Sequence, residues 1–351
     1  MRSFDVPQTV GGVALRGGFI MESGPFGHSG ASIAACTQAG FAAVSTETIS
    51  LTDGTSPWWN IYRAGENLYN CSKWSDIPLS RWVEHEIPYA KARGAVVIAT
   101  VGHTVRDMEA AAPALEAAGA DAIKACTYHA DQIVDMVRTA KRVTQLPVWA
   151  KISANWPDFL DLAVECQQAG ADALVAIDTL GPVSYWTDGP RPALGGPGHV
   201  GWMSGACIHP RALYVIGQIR QRVDLPIVGV GGIMDAAGVL RARTAGADLI
   251  GLCSTILIHG LGRLAEIRTQ LAAPQPSLCL TPGPAPGRVR IRVDRTQCDG
   301  CGRCVDLCGY LALHMEDGVL HTEDHACRRC GLCQQLCPAL SLEEADQPVT
   351  G

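Results

Sequence analysis

Eight of the chain's fifteen cysteines lie between Cys298 and Cys337, in two runs of the same spacing. The first is Cys298-x2-Cys301-x2-Cys304-x3-Cys308; the second is Cys327-x2-Cys330-x2-Cys333-x3-Cys337, closed by Pro338. Three thiolates so spaced wrap one corner of an iron–sulfur cubane, and the fourth ligand comes from the other run. The pattern predicts two 4Fe-4S clusters. Cys298, Cys301, Cys304 and Cys337 would hold one, and Cys327, Cys330, Cys333 and Cys308 the other. A pair of structural zinc sites is the competing reading, but zinc ribbons use local CxxC pairs, which these runs fit poorly. Gly309 stands where the first run would carry proline; it loosens the turn and removes no ligand. A segment with two clusters carries electrons, so the chain before it should do redox chemistry.

Composition sets the surroundings of that chemistry. Of 351 residues, 47% are hydrophobic and 18% charged, which is globular rather than disordered. A net charge of −6 argues against nucleic acid as a partner. No apolar run approaches the roughly 18–20 residues of a membrane helix. The start, Met1-Arg2-Ser3-Phe4-Asp5-Val6-Pro7, lacks the apolar core of a signal peptide. A cytoplasmic location is expected, where a disulfide framework is not favoured.

The chain reads as two domains. Residues 272–288 carry five prolines and no periodic apolar pattern, as a linker does. Residues 1–271 alternate short apolar runs with helix-like stretches, the pattern of a parallel α/β fold. Candidate strands are Gly18–Met21, Ala42–Ser45, Val96–Thr100, Ala122–Ala125, Val148–Lys151, Ala173–Ile177, Ile227–Val230 and Leu249–Leu252. Eight is the count of a TIM barrel. Ala118-Gly119-Ala120-Asp121 recurs at Ala169–Asp172 and Ala245–Asp248, each time ending a helix and leading into a strand. An open doubly wound sheet is the rival, but no GxGxxG follows the first strand. Residues 289–351 then form a small α+β domain of the bacterial two-cluster ferredoxin type. TIM barrels bind cofactor phosphate at the loops after strands seven and eight. Here those are Gly229-Val230-Gly231-Gly232-Ile233 and Gly251-Leu252-Cys253-Ser254, small enough for backbone N–H groups to approach a phosphate.

Further motifs carry a family likeness. They are Glu22-Ser23-Gly24-Pro25, Ser45-Thr46-Glu47-Thr48, Gly119-Ala120-Asp121-Ala122, Ala150-Lys151, Asp178-Thr179, Gly201-x3-Gly205 before His209-Pro210, Val230-Gly231-Gly232, and Cys253-Ser254. In order and spacing the chain resembles the dihydroorotate dehydrogenase family, above all the FMN-and-uracil half of dihydropyrimidine dehydrogenase, where a two-cluster ferredoxin segment also follows the barrel. The resemblance implies FMN at the C-terminal barrel mouth. It puts Ser23, Gly24 and Thr179 on the flavin ring, with Thr48 among the cofactor contacts and Lys151 beside N1 and O2. Ser204, Gly205, Gly231, Gly232, Cys253 and Ser254 would take the ribityl chain and phosphate. A surface lysine at a strand end is the bland reading of Lys151, opposed by its being the one charge in Val148–Ile152.

The departures gather on the substrate side. Where the family has lysine between two threonines, this chain has Glu47. The family's Asn-x-Ser-Cys-Pro after strand four becomes Cys126-Thr127-Tyr128-His129, so the acid/base cysteine is replaced by His129, with Tyr128 the nearest substitute. Asn-Thr after strand six becomes Asp178-Thr179, whereas Asn70 matches a retained substrate asparagine. Asparagine both donates and accepts; ionised Asp178 only accepts. Asp178 and Glu47 favour a substrate with N–H donors or positive charge. His129 is equally readable as a solvated loop histidine, and Cys126 as inert packing. Trp58, Trp59 and Trp74 could stack on a planar ligand but read rather as lid packing or dimer surface, and Cys36, Cys166, Cys207 and Cys279 as structural.

The expectation is an FMN-dependent oxidoreductase of the CH–CH group, acting on a small cyclic, nitrogen-containing substrate. The clusters feed or drain the flavin, and His129 or Tyr128 handles the proton. The electron donor would be a separate NAD(P)H-oxidising flavoprotein subunit or a ferredoxin, and the chain a homo-oligomer. The alternatives are a dihydropyrimidine dehydrogenase subunit acting on uracil or thymine, an electron-transfer subunit with FMN as relay, and, more distantly, a tRNA-modifying barrel, which the acidic balance opposes.

Overall fold

The computed structural model describes residues 6–52, 54–273 and 289–344. Most of the expected linker at 272–288, with Cys279, lies outside the described residues, as does most of the N-terminal stretch read for a signal peptide. The chain divides into two compact units, Met1–Leu278 and Cys279–Gly351.

In the first unit eight parallel strands close into a barrel: β1 (Phe19–Met21), β2 (Ala43–Ser45), β3 (Val97–Val101), β4 (Ala122–Ala125), β5 (Val148–Ile152), β6 (Ala173–Ala176), β7 (Ile227–Gly229) and β8 (Leu249–Leu252). Each pairs with its neighbours in chain order, and β8 closes on β1 with Ile250 opposite Phe19. The expected strands match these to within about a residue at either end. Nearly every strand residue is buried, because the barrel interior covers one face and the helix layer the other. Two of the helices open on capping boxes, Ser29 with Ser32 and Thr104 with Asp107.

The two barrel ends are built for different purposes. At the N-terminal end a hairpin, Gln8–Val10 and Val13–Leu15, is pinned by Trp149 Nε1 donating to the Gly11 carbonyl at 2.9 Å. The repeated Gly-Ala-Asp also works here. Asp121, Asp172 and Asp248 each accept the N–H that opens the preceding strand, from Val97, Val148 and Ile227, and each pairs with a base: Lys91, Lys141 and Arg220. The glycines two residues before them have φ near +100°, closing the helix before each turn.

At the C-terminal end the loops after β2 and β6 meet in a four-stranded antiparallel sheet, ordered Leu180–Ser184, Val200–Gly205, Asn67–Asn70, Ile61–Ala64. Sequence periodicity missed it, since these strands are short, half-exposed and drawn from segments more than a hundred residues apart.

The second unit pairs Val289–Val293 with Leu340–Glu344 and carries a hairpin, Leu313–Glu316 with Val319–Thr322. Short helices, Arg303–Asp306 and Leu332–Leu336, follow the first cysteines of each run. Its buried core is Ile291, Cys304, Ala312, Leu313, Leu320 and Leu340.

Candidate active site

A cleft of about 1180 Å³, counted to its open mouth, lies at the C-terminal end of the barrel. Every strand of the barrel sends a residue to its wall, directly or from the loop just beyond, except β3, whose Thr100 bonds the wall residue Ser23 at 3.1 Å. Ser23, Gly24, Glu47, Thr48, Asn70, Cys126, Tyr128, Lys151, Asp178, Thr179, Ser204, Gly231, Gly232, Cys253 and Ser254, singled out from sequence, all line it.

Two singled-out residues do not. His129 is exposed and outside the lining; its amide donates to Thr127 Oγ1, which turns its backbone into the next short helix. The expectation that His129 replaces the family cysteine is therefore corrected: one residue of loop register separates it from Tyr128, which does reach the cleft. Gly205 also stands behind the wall. A side chain on Gly232 would come within 2.3 Å of the Gly205 carbonyl, so Gly205 supports Gly232 rather than facing the cleft. Trp58 and Trp59 are exposed outside the cleft, and Trp74 packs on His103, ring centroids 4.7 Å apart.

The electrostatics rest on two ion pairs. Lys124 Nζ meets Glu22 Oε2 at 2.6 Å, with the two side chains 0% and 2% exposed. Lys151 Nζ meets Asp178 Oδ1 at 2.8 Å. Burial pulls the Lys151 ammonium down, but Asp178, Cys126 and Glu22 together raise it above the usual lysine range. Burial pushes Asp178 up, and Lys151 with the Thr179 amide more than reverses this. Both stay charged, so the Lys151 ammonium that the resemblance puts beside the flavin is paired with a carboxylate. Burial lowers Lys124, against the pull of Glu22. The Glu22–Lys124 pair was missed from sequence, although a signal existed: Lys124 is the one charge in Ala122-Ile123-Lys124-Ala125, the argument already made for Lys151.

Thiols complete the floor. Burial pushes Cys253 up to about 12, and its Sγ lies 3.5 Å from the Ser23 carbonyl; Cys126 is raised by burial as well. Neither is a ready thiolate. Tyr128 is stacked on His103, centroids 4.9 Å apart, and tilted on Trp202. Its phenol is held well above the usual range by burial, then by Asp178 and Cys126. His209 Nδ1 lies 2.8 Å from the Gly231 carbonyl and fixes the loop after β7, while Ser254 donates to Ser204 at 2.8 Å across the loop after β8.

In the second unit the thiols fall into two groups. Cys304 is raised by burial and then by Cys337 and Cys298; Cys333 by burial and then by Cys327, Cys330 and Cys308, while neighbouring amides hold it down. An apolar hollow of about 380 Å³ is lined by Cys308, Cys327, Cys330 and Cys333 together. The fourth cysteine of each run thus sits with the other run, the exchange that two cubanes require.

Comparison with known proteins agrees with this geometry. A family model, dihydroorotate dehydrogenase, matches residues 97–274, and a 4Fe-4S dicluster domain matches 290–339. The chain belongs to the dihydroorotate dehydrogenase family. It is similar to the catalytic subunit of dihydroorotate dehydrogenase B (NAD(+)) of Methanocella arvoryzae, 27% identical over 73% of this chain and 88% of that one. The subunit of the same name from Geobacter sulfurreducens is 26% identical over 78% and 95%. That from Saccharolobus solfataricus is 34% identical over 40% and 47%. As a family member the chain is an oxidoreductase of CH–CH bonds that carries FMN and two 4Fe-4S clusters. The cleft fits the flavin: small residues line its β7 and β8 side and polar ones its β1 side, and a Cβ on Gly24 would come 2.8 Å from Cys253 Sγ.

Proposed function

We propose that the chain moves two hydrogens across a CH–CH bond of a small, neutral, nitrogen-containing ring, in company with a separate redox partner. The Lys151–Asp178 pair carries this reading. The pair presents no net charge, and Asp178 Oδ2 has no hydrogen-bond partner among the described residues, so it is left to accept one. Asn70, held in the added sheet opposite Trp202, offers a donor and an acceptor. That set suits a ring N–H beside a carbonyl, as in a cyclic amide or imide. A ring bearing a carboxylate, such as dihydroorotate, is served less well, since Lys151 and Lys124 already have carboxylate partners.

FMN, when bound, supplies hydride transfer. Ser23, Gly24, Thr48, Lys151 and Thr179 would hold its ring, and Ser204, Gly231, Gly232, Cys253 and Ser254 its tail. The two groups of four thiols would each hold one cluster. The electron partner would be a separate NAD(P)H-oxidising flavoprotein subunit or a ferredoxin, a reading supported by the relatives being named catalytic subunits of an NAD(+) enzyme. The test mixes anaerobically reduced holoprotein with uracil, hydantoin or orotate and follows flavin reoxidation. At least about tenfold faster reoxidation by a neutral ring is expected, equivalent to about 1.4 kcal/mol. Reaction with orotate alone would overturn the substrate reading, and steady NAD(P)H oxidation by the isolated chain would overturn the partner.

A further inference from the structure

One acid of the cleft wall is joined by side chains to the surface. Glu47 follows β2, and its amide donates to the Gly27 carbonyl at 2.9 Å. Gly27 leaves no room for a side chain: a Cβ there would lie 2.3 Å from the Ser45 carbonyl. The turn after β1 is thereby pressed flat on the end of β2, and the next residue, His28, is delivered to Glu47. Nδ1 of His28 lies 3.0 Å from Glu47 Oε2 and 3.8 Å from Asp76 Oδ1. Side-chain exposure climbs along this line, from 22% at Glu47 through 44% at His28 to 59% at Asp76. Oε1 of Glu47 has no hydrogen-bond partner among the described residues, while Glu47 itself lines the cleft.

We propose that Glu47 is the proton donor and acceptor of the reaction, and that His28, steadied by Asp76, connects it to solvent. The proposal rests on the reading above that the cleft reduces or oxidises a C=C or CH–CH bond. In the reductive direction FMN, when bound, would supply hydride to one carbon, and the neighbouring carbon would take the proton of the Glu47 carboxyl. The carboxylate left behind recovers a proton through the His28 imidazole, which is resupplied from water. Oxidation runs the same transfers in reverse. No further oxidant or reductant enters.

Other groups around the cleft serve less well. His129 is outside it, Cys126 is a buried thiol, and Tyr128, its ring stacked on His103 and tilted on Trp202, has its phenol pushed up from the ordinary range. Burial raises the Glu47 carboxyl, more than the His28 hydrogen bond and charge lower it, and Asp76 adds to the rise. The carboxyl so stays protonated at higher pH than a solvated one. The other ionisable groups lining the same cleft are Glu22, Lys73, Cys126, Tyr128, Cys253 and the paired Lys151 and Asp178.

Two measurements on anaerobic holoprotein test this. The first is infrared and needs no substrate: a protonated-carboxyl stretch should persist above the ordinary glutamate range and vanish in Glu47→Gln. A Glu47 ionised throughout overturns the proposal. The second compares flavin reoxidation by uracil or hydantoin with reoxidation by ferricyanide, which takes electrons without a substrate proton. In Glu47→Gln the ratio of the two rates should fall about 100-fold or more. In His28→Ala it should fall less, and added imidazole should restore it. An unchanged ratio in Glu47→Gln overturns the proposal, and a fall in Tyr128→Phe instead moves the role to that phenol. If neither ring reoxidises the flavin, the substrate reading fails, and the infrared result alone decides on Glu47.

Discussion

The charged groups of the cleft stand on or just beyond barrel strands buried nearly from end to end, with Phe19, Met21, Val97, Ile123 and Ile250 among a far larger apolar core. The cysteine unit has six buried residues as its described core, one of them Cys304 of the first cysteine run. The two regions therefore differ in what holds them up. The barrel is a scaffold that stands before its chemistry is added. The cysteine unit is too small to bury a sufficient core, and metal–thiolate bonds must supply its folding energy. Stripping iron from the holoprotein with a chelator should unfold residues 289–344 and leave the barrel intact. Hydrogen exchange resolved by segment would read it: protection in the second unit falls to that of an unfolded chain, while β1 to β8 keep theirs. Equal protection before and after would mean that this small core suffices without the metal.

Within the barrel, the next largest effect is expected where charge is sealed in. Lys124→Met leaves Glu22 buried and unpaired, at a cost of about 3–5 kcal/mol. Lys124→Met combined with Glu22→Leu should recover most of that, because two apolar groups need no partner. Urea midpoints of the two variants check the difference. A single variant costing under about 1 kcal/mol would show that water or a proton relieves Glu22.

His103 supplies a contrast with pH. Burial lowers its pKa to about 4, against the opposing pull of Asp107 and Asp178. Neither ring nitrogen has a hydrogen-bond partner among the described residues, and the ring packs between Trp74 and Tyr128. A histidine depressed in the folded state contributes stability that is complete above its unfolded value of 6.5 and is lost as pH falls toward 4. The loss is about 3 kcal/mol over that window. His103→Phe keeps the stack and should flatten this part of the curve, measured as thermal midpoint against pH. An equally steep variant would assign the acid loss to other groups.

These cases also mark what could be read in advance. Cluster ligands lie within eleven residues of one another in each run, so spacing alone announces them, and the structure adds the exchange of Cys308 and Cys337. Barrel strands were legible because each is a short apolar run between turn residues. The cleft's pairings were not: Glu22 meets Lys124, and His28 meets Glu47, across chain distances that no local pattern encodes. His129 failed for a related reason, since register along a loop is set by packing, here the stacking of Tyr128 on His103.

The Gly-Ala-Asp repeat falls between these extremes, and it carries the smallest effect. Its glycine was readable as a helix stop, but the work of its aspartate depends on a neighbouring strand. Asp172 Oδ2 accepts the Val148 N–H at 2.7 Å and the Lys141 ammonium at 3.0 Å, with both side chains about one-third exposed. Asp172→Asn keeps an acceptor for the amide and gives up an ion pair that water already weakens, so it should cost no more than about 0.5 kcal/mol. Asp172→Ala orphans the amide as well and should cost about 1–2 kcal/mol. The ratio of the two separates the bond from the charge. If Asn costs as much as Ala, and the Asn penalty shrinks with added salt, then the rim of the barrel is held by its ion pairs rather than by its strand-opening amides.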